Sequence, residues 1–559
     1  MKIKRIISLL SLAFISTLVL SSCGKEDNIS VKVESIPFHN GAKDFYDMKA
    51  TSINTYYVDN SSIKYCDVGE FMVALDGLYK TQYFNRSISR MRNVYNIYAY
   101  ANTGNSVETL SATIDWVHDT ITISNPMFFD LINTPSSVDF MAHINQKDVD
   151  SGTVEAKVFN LKDYGFNIYY KNGKCLAPFS VLNTIFASNV YYNIYYTGEK
   201  YVGLYFDLSA YDEESKKTIK TNVLNNQAQT EELREETYNH LRFLLDNFYG
   251  LKEYKNIYNF DEILSGYKED IMSLDPEVNA DAYYKLFVNY FDELHTRMGA
   301  YSFYLTPENT VDNWDLAKTS QARINYKATE EKLKNLSKDI YTEAEPIYRI
   351  YDETAIIYLP SFTTGSTEDI QKTDGYKKDS YEAMLWALKN IEGKNVKNIV
   401  LDLSLNGGGN LAALFRVLGF MSNDTIDYVS YNPMFKSKSK IGIDIDINAD
   451  NDYTDADAYS NYNWYVLSGL TTFSAANSCT AMAKSLGAKV IGQKSGGGMC
   501  SVFPIVLADS TTVEISGPDC QMASINNEDV FIEGGVDADI KIDYEYFYNI
   551  EYINSLLTK

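Results

Sequence analysis

The sequence predicts an α/β core, in which a mixed sheet is flanked by helices, together with a helical subdomain and an N-terminal β-rich domain. Three observations support this fold class. Apolar strands alternate with helices in residues 346–559, apolar residues recur at helical spacing within 226–345, and short strand-like runs separated by Asn, Gly and Asp fill 31–215. A length of 559 residues is enough for about three or four such units.

Composition places the chain among globular proteins and excludes some partners. Hydrophobic residues make up 45% and charged residues 22%, which is compatible with well-filled cores. The formal net charge is −24. Because binding to nucleic acid requires basic surface that neutralises phosphates, we expect no nucleic-acid partner.

Residues 1–22 have the pattern of a signal peptide rather than of folded structure. Basic residues in Met1–Arg5 precede the apolar run Ile6–Leu20, which is shorter than the ~20 residues of a membrane-spanning helix. The run ends in Leu20-Ser21-Ser22-Cys23, which resembles the lipobox of bacterial lipoprotein signal peptides. The resemblance implies cleavage before Cys23 and a lipid anchor on its thiol, with 23–30 as a tether.

An anchored protein of this kind is expected at the cell membrane or the outer membrane, facing the periplasm or the exterior. An ordinary secretory signal with an incidental cysteine is the alternative interpretation.

Cysteine and histidine usage argues against a metal site. The five other cysteines are an odd number and do not predict a disulfide framework, and no Cys/His cluster has zinc spacing. They are Cys66, Cys175, Cys479, Cys500 and Cys520. We therefore expect neither a metal nor a cofactor.

The helical subdomain contains the histidine of greatest interest. Six apolar residues between Asp281 and Leu294 fall on one helical stripe, and His295 continues the row four residues after Phe291. The pattern predicts that His295 lies at the end of this helix, with Gly299 just beyond as a cap. A packed or capping histidine is the alternative. In 31–215 no catalytic constellation is predicted, and a stalk or substrate-collaring module is expected.

Polar or glycine-rich loops follow the predicted core strands. These strands and loops are Ala355–Leu359, Ile399–Leu403 followed by Gly407–Gly409, Trp464–Leu467 followed by Ser474, and Lys489–Ile491 followed by Gly496–Gly498. Functional loops are expected at the carboxyl ends of parallel strands.

Two of these loops have candidate chemistry. Ser474 precedes a helix of small residues, where the dipole and unpaired N–H groups can stabilise an oxyanion, although an N-cap serine is the commoner use of this position. Gly407–Gly409 is suited to an oxyanion hole or anion nest, or to a plain turn.

Five segments in order resemble the C-terminal-processing (tail-specific) serine peptidases, a family that includes the tricorn core peptidase. The segments are Asp292–Thr296, Ile399–Asn410, Phe473–Asn477, Val490–Gly497 and Glu533–Ile540. Three positions depart from the family pattern: Ser404 stands where Arg is usual, Asn477 replaces Glu, and Ala538 replaces Pro.

The resemblance implies roles for individual residues. Ser474 would be the nucleophile, and the backbone N–H groups of Ala475 and of Gly408 or Gly409 would form the oxyanion hole. One branch of the family uses a lysine base about two dozen residues after the serine, where this chain has Gly498-Met499-Cys500.

The histidine-using branch fits better, with His295 as base and Glu533 as its carboxylate partner. A histidine has an unperturbed pKa near 6.5 that suits proton removal, and a carboxylate can orient the ring.

The sequence thus predicts a serine peptidase acting on peptides or proteins. A catalytically inactive surface lipoprotein that binds peptides or glycans is the alternative. Only about 60 residues separate His295 from the strand at Ala355, so a PDZ domain is not expected. The acidic stretch 444–457 has spacing similar to a calcium loop, but Ala449 stands where glycine is needed, and a solvated insertion is favoured.

Overall fold

The computed structural model describes residues 27–102, 107–133, 139–150, 152–205, 212–305, 320–342, 347–525 and 528–558. The predicted signal peptide, Cys23 and the start of the tether lie outside these described residues. Among the described residues, no helix has both the length and the apolar character needed to cross a membrane.

In the described chain, six strands form the core sheet. In sheet order they are Tyr348–Tyr351, Thr354–Tyr358, Asn398–Asp402, Asn463–Ser468, Lys489–Gly492 and Ile540–Lys541. The first pair is antiparallel and all other neighbours are parallel. The carboxyl ends of the parallel strands therefore meet at one edge, where the loops singled out from the sequence lie.

Helices cover both faces of this sheet, which confirms the predicted α/β core. One face packs against helices Ser380–Ile391, Leu411–Gly419 and Ala475–Ser485. The other face packs against Gln321–Ser337 and Ile550–Leu557 through Leu333 and Ile553. Because both faces are buried, the strands are continuous apolar runs rather than alternating ones.

A second sheet joins regions that the sequence treats as separate domains. Its described strands are Thr512–Ile525, Ile426–Asn432, Ser437–Ile445, Cys500–Val506, Glu528–Phe531, Ile144–Asp150 and Arg297–Ala300. Ile144–Asp150 comes from the β-rich region and Arg297–Ala300 from the helical region, yet both pair with strands of the C-terminal half.

Two cysteines of this sheet form a disulfide bond that the sequence did not predict. Cys500 and Cys520 are cross-strand partners and are bonded to each other. In the described part of the chain, Cys66, Cys175 and Cys479 remain as buried thiols. The odd number of cysteines in the sequence gave no sign of this pair, because it is the pairing of the two strands that brings Cys500 and Cys520 together.

The N-terminal region is β-rich, as predicted. Its seven-stranded sheet, as far as the chain is described, contains Val31–Asn40, Ser52–Val58, Tyr65–Asp67, Tyr169–Lys171, Lys174–Pro178, Tyr192–Tyr196 and Tyr201–Tyr205. A smaller sheet contains Asn85–Ser89, Val94–Asn102, Val107–Asp115, Thr120–Ile123 and Lys157–Asn160. Helices Val68–Ala74, Phe179–Phe186 and Glu213–Lys220 accompany them.

The helical region ends differently from the prediction. Helices Glu231–Phe248, Asp261–Ser265, Lys268–Ile271 and Pro276–Tyr284 lead into a π-helical segment, Lys285–Tyr290. The predicted helix through Leu294 is wrong at its end, because Asp292 has a φ of 41° and turns the chain. His295 therefore lies in a connection, and Gly299 lies in a strand rather than in a cap.

The turn at Asp292 has a physical cause beyond local propensity. Its carboxylate accepts hydrogen bonds from the Ser320 hydroxyl and from the Ala322 N–H at 2.9 Å, which attaches it to the start of helix Gln321–Ser337. Arg323 of that helix donates to the Leu294 carbonyl at 2.6 Å. These long-range bonds hold the chain out of the helical path.

Leu333→Ala is expected to lower the free energy of unfolding by about 2–5 kcal/mol, because Leu333 is fully buried between its helix and the core sheet. Leu336→Ala on the same helix is the control: that side chain is 37% exposed and should cost no more than about 0.5 kcal/mol. Urea denaturation followed by circular dichroism measures both. Equal losses would contradict the proposed packing of this helix.

Candidate active site

Ser474 occupies the turn between strand Asn463–Ser468 and helix Ala475–Ser485. Its backbone has φ 56° and ψ −125°, a conformation that costs a residue with a side chain about 1–3 kcal/mol. The side chain makes no capping hydrogen bond to the helix and is half-buried. The N-cap interpretation therefore does not hold, and the strain presents the hydroxyl at the sheet edge.

The first glycine turn is in direct contact with Ser474. A Cβ added to Gly408 would lie 2.9 Å from Ser474 Cβ and 3.1 Å from Ala475 N. The φ of Gly408 is +116°, which side chains rarely adopt. Only glycine allows this close approach of the two backbones.

Two backbone amides remain available for an oxyanion. The N–H of Gly408 is already engaged, since it donates to Asn406 Oδ1 at 2.9 Å. Among the described residues, no hydrogen bond is made by the N–H of Gly409 or of Ala475. Of the three predicted donors, Gly409 and Ala475 are thus the ones with unused N–H groups.

The second glycine turn connects Ser474 to Glu533. The Ser474 N–H donates to the Gly497 carbonyl at 2.8 Å. A Cβ on Gly497 would lie 1.9 Å from the Glu533 carbonyl oxygen, so this contact also requires glycine. The Met499 N–H donates to Glu533 Oε2 at 2.8 Å. One short loop therefore positions both residues.

His295 reaches the same place from the helical region. Its ring centroid lies 4.6 Å from that of Phe473, the residue before Ser474. The imidazole is 6% exposed, and burial lowers its pKa to about 4. Its Nδ1 is buried without a hydrogen-bond partner among the described residues.

The predicted catalytic residues are thus gathered but not bonded to one another. Within the described chain, no hydrogen bond joins the side chains of Ser474, His295 and Glu533. All three lie around Phe473 and the Gly497–Gly498 turn, because Gly498 also contacts the Phe473 ring. The roles assigned to them remain predictions.

Glu293 is a site residue that sequence analysis missed. It accepts hydrogen bonds from the His295 N–H at 2.8 Å, the Ser516 hydroxyl at 2.8 Å and the Thr296 hydroxyl. The Thr296 hydroxyl proton is therefore already donated to Glu293. The only signal in the sequence was that an acidic residue precedes His295 by two positions.

The two glutamates influence each other. Burial, together with the negative charge of Glu293, raises the pKa of Glu533 to about 8. Two nearby buried carboxylates cannot both ionise cheaply. Ionisation of Glu533 is therefore less favourable than that of an ordinary exposed glutamate.

Asn477, which replaces the family's glutamate, holds the Glu533 loop against the helix. Its Nδ2 donates to the Ile532 carbonyl at 2.9 Å, and its Oδ1 accepts from the Ser495 hydroxyl at 2.7 Å. The Ser495 oxygen in turn accepts from the Val536 N–H at 2.7 Å. An amide supplies both a donor and an acceptor, which a carboxylate does not.

Ser404, which replaces the family's arginine, belongs to a closed buried polar set. Its hydroxyl lies 2.9 Å from the Tyr548 hydroxyl, and its N–H donates to Asp402 Oδ1 at 2.9 Å. The Tyr341 hydroxyl donates to the other Asp402 oxygen at 2.9 Å. The Ser404 N–H and the Tyr341 hydroxyl thus each donate to one oxygen of Asp402.

The acidic insertion uses its carboxylates to bind its own backbone. Asp446 accepts from the N–H groups of Ala449 and Asn451, and Asp457 accepts from those of Ile447 and Asn448. The described residues contain no group of three or more His, Cys, Asp or Glu side chains arranged to hold a metal ion.

Comparison with known proteins finds a family match in the C-terminal part of the chain. Residues 353–542 match the model of peptidase family S41. This segment contains Ser474, both glycine turns and Glu533, whereas His295 lies before it. No curated protein matches the chain.

Solved structures of similar proteins share only part of the architecture. A candidate peptidase from Parabacteroides merdae is 17% identical, with a TM-score of 0.43 over 60% of this chain and 98% of that one. Mature CPAF bound to lactacystin is 10% identical, with a TM-score of 0.38 over 58% and 98%. The tricorn protease is 12% identical, with a TM-score of 0.31 over 83% of this chain and 45% of that one. Likenesses of this size carry no argument about function.

The family match rests instead on the segment that places Ser474 between its two glycine turns. Residues 353–542, about a third of the chain, are similar to peptidase family S41, and this match supports a serine-type peptidase.

Proposed function

We propose that the protein is a lipid-anchored, extracytoplasmic serine endopeptidase in which Ser474 attacks the peptide bond, His295 is the general base and Glu533 orients the imidazole. The observation that carries this proposal is the setting of Ser474. Its hydroxyl is uncapped, its backbone is strained, and two unused amides lie beside it. No metal or cofactor takes part in the proposed reaction.

The proposed reaction begins with proton transfer from Ser474 Oγ to the imidazole of His295. The oxygen then bonds to the substrate carbonyl carbon, and the negative charge that develops on the carbonyl oxygen is stabilised by the N–H groups of Gly409 and Ala475. The tetrahedral intermediate then collapses: the carbonyl re-forms, the peptide C–N bond breaks, and the imidazolium gives its proton to the leaving amine, which leaves an acyl-enzyme. Water repeats the sequence on the acyl-enzyme and releases the second product.

Burial of His295 has two consequences for this mechanism. Its lowered pKa keeps the imidazole neutral and able to accept a proton at pH 7. The unpaired Nδ1 leaves a place for a carboxylate that would stabilise the imidazolium once it forms. Catalytic hydrogen bonds often tighten only when substrate binds, so the open Ser474–His295 contact is compatible with catalysis.

A second candidate function is that of a catalytically inactive lipoprotein that binds peptides or glycans. The missing hydrogen bonds between the three side chains and the raised pKa of Glu533 favour it. The experiments below distinguish the two functions.

Ser474→Ala and His295→Ala are each expected to lower the rate of casein hydrolysis about 10³-fold or more, because each removes a group that acts in the transition state. A fluorophosphonate probe should label the wild-type protein and not Ser474→Ala. Ser478→Ala, one helical turn further on, is the control and should keep both activity and labelling. If the folded wild-type protein neither cleaves nor is labelled, the inactive alternative is correct.

Activity is expected to persist to lower pH than for an ordinary histidine base. The imidazole must be neutral to accept a proton, and burial lowers its pKa from 6.5 to about 4. The acid limb of kcat/KM should therefore have its midpoint near pH 4, provided that circular dichroism shows an intact fold there. A midpoint near the ordinary histidine value in folded protein would show that His295 is not the buried base.

Cys23→Ser is expected to remove the membrane anchor. The variant expressed in a bacterial host should move from the detergent phase to the aqueous phase in Triton X-114 partitioning and lack acyl chains by mass spectrometry. Lys25→Ala in the tether is the control and should remain in the detergent phase. Retention of Cys23→Ser in that phase would contradict lipidation at this residue.

A further inference from the structure

A cavity of about 640 Å³ opens where the three regions of the chain meet. Its walls are Lys157 of the β-rich region, the turn from Tyr249 to Tyr258 after the long helix, and the segment Tyr431–Lys436 of the second sheet. Ligand pockets typically measure ~300–1,000 Å³, so the cavity is large enough for a short peptide segment.

The charges along this cavity leave one cation uncompensated. Lys252 pairs with Asp246 at 3.0 Å, and Lys436 pairs with Glu155 at 2.8 Å. The ammonium group of Lys157 forms no ion pair or hydrogen bond with any described residue, and its Nζ lies 5.2 Å from the centre of the Phe159 ring.

The acids of the cavity are already engaged. Asp246 also accepts a hydrogen bond from the Phe260 N–H at 2.9 Å. Glu253 accepts one from the Tyr431 hydroxyl. Burial and the charges of Lys252 and Lys436 lower the pKa of Lys157 to about 8, whereas Asp246 acts in the opposite direction. Burial and the two neighbouring lysines thus disfavour the charged form of Lys157, and an anion bound beside it would stabilise that form.

The rest of the lining is suited to peptide. Its tyrosine, proline and methionine side chains offer both apolar and polar contacts to a bound peptide. These side chains are Tyr249, Tyr258, Tyr431, Pro433 and Met434. Among the described lining residues there is no arginine, the side chain best suited to the geometry and charge of phosphate. A single ammonium group matches a singly charged carboxylate.

We propose that this cavity binds an acidic segment of a peptide, with the ammonium group of Lys157 pairing with an Asp or Glu side chain. The tyrosines and Met434 contact the neighbouring peptide residues. That the bound peptide is a substrate rests on the proposed peptidase function, whereas the binding itself does not.

The cavity adjoins the candidate active site. The Tyr254 and Tyr431 rings pack against Phe531, with centroids 6.2 and 5.6 Å away, two residues before Glu533. Tyr249 has a buried hydroxyl without a hydrogen-bond partner in the described chain, and its pKa is raised by burial and by the charges of Glu293 and Glu533. A peptide held in the cavity would therefore lie near strand Glu528–Phe531, which leads directly to Glu533.

The test measures binding in protein that cannot cleave. Full-length Ser474→Ala protein is titrated against fluorescein-labelled Ala-Tyr-Asp-Tyr-Ala and against the same peptide with Asn in place of Asp, and fluorescence anisotropy is recorded. We expect the acidic peptide to bind about tenfold more tightly, as a charge-assisted hydrogen bond allows. Adding Lys157→Gln should abolish that difference, and Lys157→Arg should preserve it.

Lys162→Gln is the matched control, because Lys162 is an exposed lysine outside the cavity. It should leave both affinities unchanged. Equal binding of the two peptides, or an acidic preference that survives Lys157→Gln, would overturn the proposal. So would displacement of the peptide by inorganic phosphate but not by acetate at equal concentration. Because Ser474→Ala is used throughout, these outcomes are independent of whether the wild-type protein hydrolyses peptides.

Discussion

The whole site depends on the close packing of the Ser474 turn between the two glycine turns at Gly408 and Gly497. Phe473 and Ser474 lie between the Gly408 and Gly497 turns. A Cβ on Gly408 would collide with Ser474, and a Cβ on Gly497 would collide with the Glu533 carbonyl. A parallel bridge between Phe473 and Gly497 and the bond from the Ser474 N–H to the Gly497 carbonyl fix the strained backbone. The same loop then holds Glu533 through the Met499 N–H. Relaxing either contact would move the nucleophile and its oxyanion donors together.

The electrostatics of the site follow from burial. Burial lowers the pKa of His295, and burial together with the charge of Glu293 raises the pKa of Glu533. Glu293 accepts hydrogen bonds from the His295 N–H and from the Thr296 and Ser516 hydroxyls.

Two departures from the family pattern have structural substitutes. Asn477 ties the helix to the Glu533 loop by using both ends of its amide. Ser404, Asp402 and the hydroxyls of Tyr341 and Tyr548 form one buried hydrogen-bonded set. Both sets are buried and hydrogen-bonded, so these replacements preserve the shape of the site rather than leave gaps in it.

The sequence by itself determined the layers of the core, the β-rich N-terminal region and the position of Ser474 between a buried strand and a small-residue helix. These features follow from apolar periodicity and turn chemistry, which act over a few residues. Only the tertiary structure decided that His295 leaves the helix, that Gly408 has its amide engaged, and that Cys500 is bonded to Cys520. It also placed Glu293 and Lys157. All of these features depend on contacts between segments that are distant in the sequence and on burial, and the local spacing of residue types does not specify such contacts.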